Sequence, residues 1–412
     1  MTATQQLAKP MAPEAPPRPW RTVLLLGSLI ALGPLSIDMY LPALPALTDD
    51  LSASPSAVQL TLTGILIGLG LGQLLIGPLT DIYGRRRPLL VGIGLHVATS
   101  LLCAVAPTIA VLDVLRVLQG VGAAAASVVA MAVVRDLFTG GAAAAVISRL
   151  VMVMGLAPVL APSLGSAVLE VGTWRTVFVV LAGFGVLLAA LGAFALTETL
   201  PVERRAATGL RPTLHAYGVL LRDRSLIGFM FIASLTMAAV FAYVSGASFV
   251  LQDGFGLDER AFGLVFGVGA VGLIACSQVN VALLRRFDPG TILTTALTVA
   301  ALAGTVLLVN AVTGFGGLLG VLVPVWVVMG TVALCGPNAT ALALADHGDR
   351  AGAAAALLGA SQFAVGAAVA PLTGLGEAGS AVPMAATIAG ALFAAAVLVR
   401  LVLRPAPAVA TT

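Results

Sequence analysis

Charge is what this sequence has least of. Only 9% of its 412 residues are Asp, Glu, Lys or Arg, against about 25% in a soluble domain. So few charges cannot cover a water-facing surface, which excludes a soluble globular protein. Lysine is nearly absent: Lys9 stands alone, and arginine carries the rest of the basic charge. Cysteine and histidine occur three times each. Cys103, Cys276 and Cys335 lie in separate apolar runs with no metal-ligand spacing, so they read as small core residues rather than a disulfide framework. His96, His215 and His347 are scattered. No Gly-x-x-x-x-Gly-Lys segment is present to cradle ATP phosphates. An enzyme, an ATP-driven pump, a resident cofactor and a bound metal are therefore not expected. Neither is a nucleic-acid partner, because the net charge of +3 is loop charge and forms no basic patch.

What the sequence does have is apolar length. Hydrophobic residues make up 59% of it, in continuous rather than alternating runs. Lipid accepts only helices or closed barrels, and unbroken runs specify helices. A helical crossing takes roughly 20 apolar residues, and twelve such runs are found: 22–45, 57–79, 87–107, 109–134, 144–169, 174–196, 226–251, 260–284, 291–312, 316–342, 351–376 and 381–403. The expected fold is an all-α integral membrane protein of twelve transmembrane helices in two six-helix bundles. The longest polar interruption, 197–224, holds Arg204, Arg205, Arg211, Arg222 and Arg224. It separates a bundle at 22–196 from one at 225–404, a layout used by transporters built from two halves. Residues 1–21 and 405–412 read as tails, the first Pro-rich and disordered. A signal peptide is not expected, because the first apolar run carries Asp38 and continues past any cleavage-like site.

Arginine and lysine between the runs set orientation. With the N-terminus inside, the inner segments carry Lys9, Arg18, Arg21, Arg85, Arg86, Arg87, Arg135, Arg149, the five linker arginines, Arg285, Arg286, Arg350, Arg400 and Arg404. The outer segments carry only Arg175 and Arg260, beside the acids Asp49, Asp50, Asp253, Asp258 and Glu259. Both termini are thus expected in the cytoplasm of a bacterial cell, with the chain a multi-pass protein of its plasma membrane and lipid its constant partner.

Four segments carry chemistry. Gly77-Pro78-Leu79-Thr80-Asp81-Ile82-Tyr83-Gly84-Arg85-Arg86-Arg87 joins runs 2 and 3. Gly84 suits a tight turn, the arginines suit an anionic leaflet, and Asp81 suits an arginine or a helix end. Read alone, it is also an ordinary positive-inside loop. In run 4, Arg116 sits inside the apolar stretch with Asp113 on the same helical face and Gln119, Gly120 and Gly122 following. An intramembrane arginine costs about 2.5 to 3.5 kcal/mol on insertion scales, so it either faces the protein interior with a partner or snorkels to the interface. Gly120 and Gly122 suit close helix packing. In run 5, Pro158 and Pro162 are four apart and followed by Gly165, a pattern that bends a helix and admits a close neighbour. In run 1, Asp38 is the acid well within an apolar run, and such a residue is a functional hypothesis by default. Burial favours its neutral form and a nearby Arg116 its charged form. That opposition makes a carboxyl switchable by a proton. The alternative is an acid that just reaches the interface.

These segments resemble the major facilitator superfamily. The loop at 77–87 is similar to its signature Gly-x-Leu-x-Asp-x-x-Gly-Arg-(Arg/Lys), with Ile82 where arginine is common. The resemblance implies that Gly77, Asp81, Gly84, Arg85 and Arg86, with Arg135 and Asp136 at the inner end of run 4, help set the equilibrium between inward and outward states. Arg116-x-x-Gln119-Gly120-x-Gly122 resembles the second signature of proton-coupled drug exporters, which implies a role for Arg116 in proton coupling. The segment around Pro158, Pro162 and Gly165 resembles the antiporter signature, with Ala161 and Ser166 in place of two glycines. Asp38-Met39-Tyr40-Leu41-Pro42-Ala43-Leu44-Pro45 and Val134-Arg135-Asp136-Leu137-Phe138 resemble the Bcr/CflA drug-resistance branch. Ile30 and Ala31 stand where some multidrug exporters carry a second acid.

The expected function is a proton-coupled exporter of small amphipathic compounds, of chloramphenicol or bicyclomycin type as the branch implies, working as a monomer. Asp38 is expected to carry the proton, with Arg116 stabilising its charged form and Asp113 competing for Arg116. Met39, Tyr40, Gln59, Gln119, Gln278, Asn338 and Gln362 are candidates to contact the small-molecule substrate. Export of an endogenous metabolite, proton-coupled uptake and a non-transporting receptor of the same fold remain alternatives.

Overall fold

The computed structural model describes residues 19–205, 211–347, 350–377 and 379–403. Apart from residues 19–21, the two expected tails lie outside these residues, as do Lys9, Arg18 and Arg404. The described chain is helical throughout: α1 (Pro19–Asp38), α2 (Leu44–Asp50), α3 (Pro55–Tyr83), α4 (Arg86–Ala104), α5 (Ile109–Leu137), α6 (Gly140–Leu169), α7 (Trp174–Ala195), α8 (Arg211–Leu220), α9 (Arg224–Ser248), α10 (Glu259–Leu283), α11 (Pro289–Thr313), α12 (Gly317–Leu344), α13 (Ala351–Val369) and α14 (Val382–Val402). Among the described residues, twelve helical segments are long and apolar enough to cross a membrane, and they coincide with the twelve expected runs.

Local chemistry explains where the helices begin and break. Ser54, Thr108, Asp223, Asp258 and Asp288 each accept a hydrogen bond from a backbone amide in the first turn of the helix they precede. The first crossing is broken: α1 stops at Asp38, a 3-10 turn follows at Leu41–Ala43, and α2 resumes the path. Pro42 and Pro45 cause this break, since each lacks the amide hydrogen that a continuous helix would use. The last carbonyls of α1 are left to find other partners. Through α6, by contrast, the helix runs unbroken past Pro158 and Pro162.

Backbone approach sets the packing of the first bundle. Gly64, Gly68 and Gly72 recur every four residues and line one face of α3, which lies against α5. A Cβ at Gly120 would run into the carbonyl oxygen of Ile65 and lie 3.0 Å from Cα of Gly68. On the other side, a Cβ at Gly122 would come within 2.6 Å of the Gly92 carbonyl in α4. The close packing expected of Gly120 and Gly122 is thus present.

The two bundles meet where α3 packs on α13 and α6 on α10. At the arginine-poor end they are clasped by side chains donating to backbone across the interface. Ser56 donates to Gly374 (2.7 Å), Gln59 to Ser245 (3.3 Å), Thr63 to Ala367 (2.9 Å), Ser248 to Leu41 (2.6 Å), Gln252 to Pro42 (3.2 Å) and Ser166 to Glu259 (2.7 Å). Arg260 and Glu170 add an ion pair at 2.7 Å. That end is closed. The polar interruption contains more than a linker: α8 lies within it, burying Tyr217 and Leu220, and Tyr217 donates to the Leu74 carbonyl of the first bundle (3.2 Å).

Candidate proton and substrate site

Arg116 is fully buried, at 0% exposure, in the middle of the first bundle. Its Nη1 donates to the Ser36 carbonyl (2.9 Å) and to Gln119 Oε1 (2.6 Å), and its Nε to the Thr61 carbonyl (3.4 Å). The guanidinium stacks 4.2 Å from the Tyr40 ring centre and 5.5 Å from that of Phe178. The Ser36 carbonyl is one of the groups that the break after Asp38 releases, so Arg116 caps the C-terminal turn of α1. Arg116 thus faces the interior and does not snorkel.

Its partners differ from those expected. Among the described residues no carboxylate lies within ion-pair distance of Arg116. Asp38, the last residue of α1, is buried at 4% exposure, and among the described residues it has no counter-ion. Asp113 is half-buried, and its Oδ1 has no hydrogen-bond partner. The expected Asp38–Arg116 pair is therefore not formed in this state. The reason is geometric: the guanidinium is held by neutral oxygens from α1, α3 and α5, and its Nη2 remains without a partner. From Gln119 the polar chain continues, with Nε2 donating to Ser100 Oγ (2.7 Å) on α4.

The loop after α3 is built around Arg85, not around the arginine run as a whole. Arg85 reaches Asp81 (2.5 Å), Thr80 (3.0 Å) and both oxygens of Asp136 (2.9 and 3.3 Å). The Thr199 hydroxyl also donates to Asp136 (2.8 Å). Gly84 has φ +85°, and a Cβ there would collide with the carboxylate of Glu198. That carboxylate accepts from the amides of Arg85 (2.8 Å), Arg86 (3.3 Å) and Leu200 (3.0 Å). Burial opposes its charge, but the three amides outweigh burial and hold the Glu198 carboxyl below the usual glutamate range. Arg86 is exposed and donates to the Ala193 carbonyl. Arg135 is exposed and lies beside Gly352 at the start of α13. Gly77 faces open space, so no contact requires a glycine there.

Gly165 lies where α6 crosses the break in the first crossing: a Cβ would strike the Met39 carbonyl. One residue later, Ser166 donates both to Pro162 (3.0 Å) and, across the bundle interface, to Glu259. The α6 segment thus connects the Asp38 region to the second bundle.

The candidate substrate residues do not form one surface. Tyr40 is spent on Thr61 (2.7 Å) and Arg116, and Gln119 on Arg116 and Ser100. Gln59 belongs to the interface clasp, with its Oε1 unpartnered. Asn338 donates to Asn280 (2.7 Å) and to the Leu334 carbonyl, joining α12 to α10. Met39 borders an apolar cleft of about 370 Å³ between α1, α6 and α7. Gln278 is exposed and Gln362 half-buried. Sequence reasoning missed Glu198, Ser36, Thr61 and Phe178. Only Glu198 had a visible signal, as an acid beside the arginines that follow run 6.

Residues 26–371 match the Major Facilitator Superfamily. The uncharacterized MFS-type transporter YdgK of Bacillus subtilis is 40% identical over 364 residues, covering 88% of this chain and 90% of that one. The bicyclomycin resistance protein homolog of Haemophilus influenzae is 32% identical, with 89% and 92% covered. The chloramphenicol resistance protein of Pseudomonas aeruginosa is 32% identical, with 79% and 77% covered. In structure, the xylose transporter XylE from E. coli, in a partially occluded inward open conformation, superposes with a TM-score of 0.72 at 14% identity, over 94% of this chain and 98% of that one. A bacterial homolog of the human lysosomal transporter Spinster, inward-facing and occupied, also gives 0.72, at 16% identity, over 96% and 100%. At such identities the two likenesses show the fold. The twelve helices in two bundles and the match across both halves make this chain a bacterial membrane transporter of the major facilitator superfamily.

Proposed function

We propose that the chain exports small drug-like compounds in exchange for protons, by alternating access between its two bundles. The observation that carries the reading is Asp38, a carboxyl buried without a counter-ion beside the turn that a buried arginine caps. A carboxylate placed there without a partner is strongly disfavoured, so this geometry accommodates the neutral acid. When the proton leaves, the charge needs a cation. Arg116 already touches Ser36, two residues before Asp38, and its Nη2 is unpartnered. Turning Nη2 to Asp38 would give this unpartnered donor a carboxylate acceptor at the end of α1.

The consequence runs through contacts already described. The end of α1 presses on Gly165 through Met39, and the next residue of α6 holds Glu259 in the other bundle. A change at Asp38 thereby reaches the clasp that closes the arginine-poor end. With the arginine-rich end cytoplasmic, a proton entering through the clasped end and leaving inside gains about 2.3 kcal/mol per 100 mV from the membrane potential. Relatives named for bicyclomycin and chloramphenicol resistance favour export of antibiotics over uptake. The test is proton release from everted membrane vesicles on addition of chloramphenicol or bicyclomycin. Collapse of the pH gradient by wild type but not by Asp38→Asn supports the reading. Drug accumulation that ignores the pH gradient contradicts it.

A further inference from the structure

Two buried polar atoms in the second bundle have no partner among the described residues and no place in the proton mechanism: Tyr243 Oη and Trp326 Nε1. Tyr243 is 4% exposed on α9, and its ring stacks on Phe266 of α10 at 5.1 Å with planes 11° apart. Phe262, one turn earlier on α10, packs on Phe266 at 5.7 Å. Trp326 on α12 lies against Gly269, one turn beyond Phe266, where a Cβ would come within 2.9 Å of indole Cδ1 and 3.0 Å of Nε1. The glycine therefore makes room for the indole. Neighbouring turns of α10 thus bear both an aromatic stack and the indole, each ending in an unsatisfied polar atom. Leaving such an atom buried and unpaired is costly, and a partner is expected.

We infer that Tyr243, Phe266 and Trp326 form a substrate subsite for an uncharged compound with a flat aromatic ring and a hydrogen-bond acceptor. With Tyr243 and Phe266 each 4% exposed in this state, the ring would reach their stack only in a state that opens this wall. The acceptor would take the Trp326 N–H, a donor only, or the Tyr243 hydroxyl, which can also accept. Charge selects the class. Among the described residues, the helical crossings of the second bundle carry charged side chains only at their ends, at Arg224, Asp253, Glu259, Arg260 and Arg400. Nothing on this wall offers a counter-ion to a cation. The subsite rests on the export reading for its occupant, but it is tested by binding alone.

The experiment is equilibrium binding of radiolabelled chloramphenicol and of the cation tetraphenylphosphonium to purified full-length protein. Tyr243→Phe and Trp326→Phe keep a ring and remove the polar atom. Each is expected to weaken chloramphenicol binding roughly three- to tenfold, the range of one hydrogen bond. Gly269→Ala, which displaces the indole without altering it, is expected to weaken binding as well. Tighter binding of the cation than of chloramphenicol, no saturable chloramphenicol binding in wild type, or binding unchanged in both Phe variants overturns the assignment. Asp38→Asn separates this subsite from the proton mechanism. It should lose drug-driven proton flux, while Tyr243→Phe and Trp326→Phe still weaken chloramphenicol binding by the same factor in its background; retained flux would sink the proton reading and leave the subsite to stand on its binding data.

Discussion

Replacing Arg116 with lysine keeps the charge and removes the fork. The guanidinium donates to acceptors on three helices, Ser36 on α1, Thr61 on α3 and Gln119 on α5, while lying over the Tyr40 ring. A lysine ammonium is a compact point charge on a flexible stem, and it cannot reproduce the planar arrangement. It can hold one of these acceptors well, so about two hydrogen bonds to a charged donor are lost. Each is worth about 1.5 to 3 kcal/mol. Allowing for partial replacement by the ammonium, the net loss is about 3 kcal/mol, or roughly a hundredfold in an equilibrium or rate that depends on this shell. Drug-stimulated proton release in everted vesicles should therefore fall to about one hundredth of wild type in Arg116→Lys, at equal protein abundance in the membrane. Flux at the wild-type level would show that a point charge suffices and would refute the account of Arg116 as a three-helix clamp.

Gly120→Ala should lose about 1 to 3 kcal/mol through overpacking against Ile65 and Gly68, whereas Gly77→Ala, which meets open space, should be as stable as wild type or more so; thermal inactivation in detergent separates the two. Glu198→Gln should speed hydrogen exchange at the Arg85 and Arg86 amides at neutral pH. Because the Glu198 carboxyl is held below its ordinary value, its contribution in wild type is present above the usual glutamate pKa of about 4.3 and is lost only as pH falls through the lower folded value. Protection factors at these amides, with the base-catalysed intrinsic rate divided out, that are flat from pH 8 to 5 fit; a step between pH 6 and 7 does not. Gln59→Leu removes one clasp bond worth about 1 kcal/mol, and maleimide labelling of Val244→Cys from the arginine-poor side should rise about fivefold. An unchanged labelling rate would show that Gln59 does not hold that end shut.

The twelve crossings were legible because each is a long apolar run, and lipid leaves such a run one way to satisfy its backbone. The burial of Arg116 was legible for the same reason, since an arginine in lipid needs the protein interior. Its partners were not. Spacing along α5 pointed to Asp113, and composition to Asp38, yet three backbone and amide oxygens hold the guanidinium. Of these, the Ser36 carbonyl is available because the first crossing breaks after Asp38, a local consequence of Pro42 and Pro45 that no charge pattern announces. Gly84 was read correctly from its turn chemistry, while the acid that fills the space beside it, Glu198, comes from more than a hundred residues away. The α8 helix was hidden by charge in the polar interruption, because only Tyr217 and Leu220 bury an apolar face. Tyr243, Phe266 and Trp326 carry no signal in sequence at all, since an aromatic residue in an apolar run reads as core.

The central claim is that substrate binding and the proton on Asp38 are coupled. The direct measurement is proton release when chloramphenicol binds to purified protein in weakly buffered detergent solution, followed with a pH indicator. The account predicts release of at most about one proton per bound molecule by wild type, and none by Asp38→Asn. Equal release by the two proteins would place the proton elsewhere and contradict it.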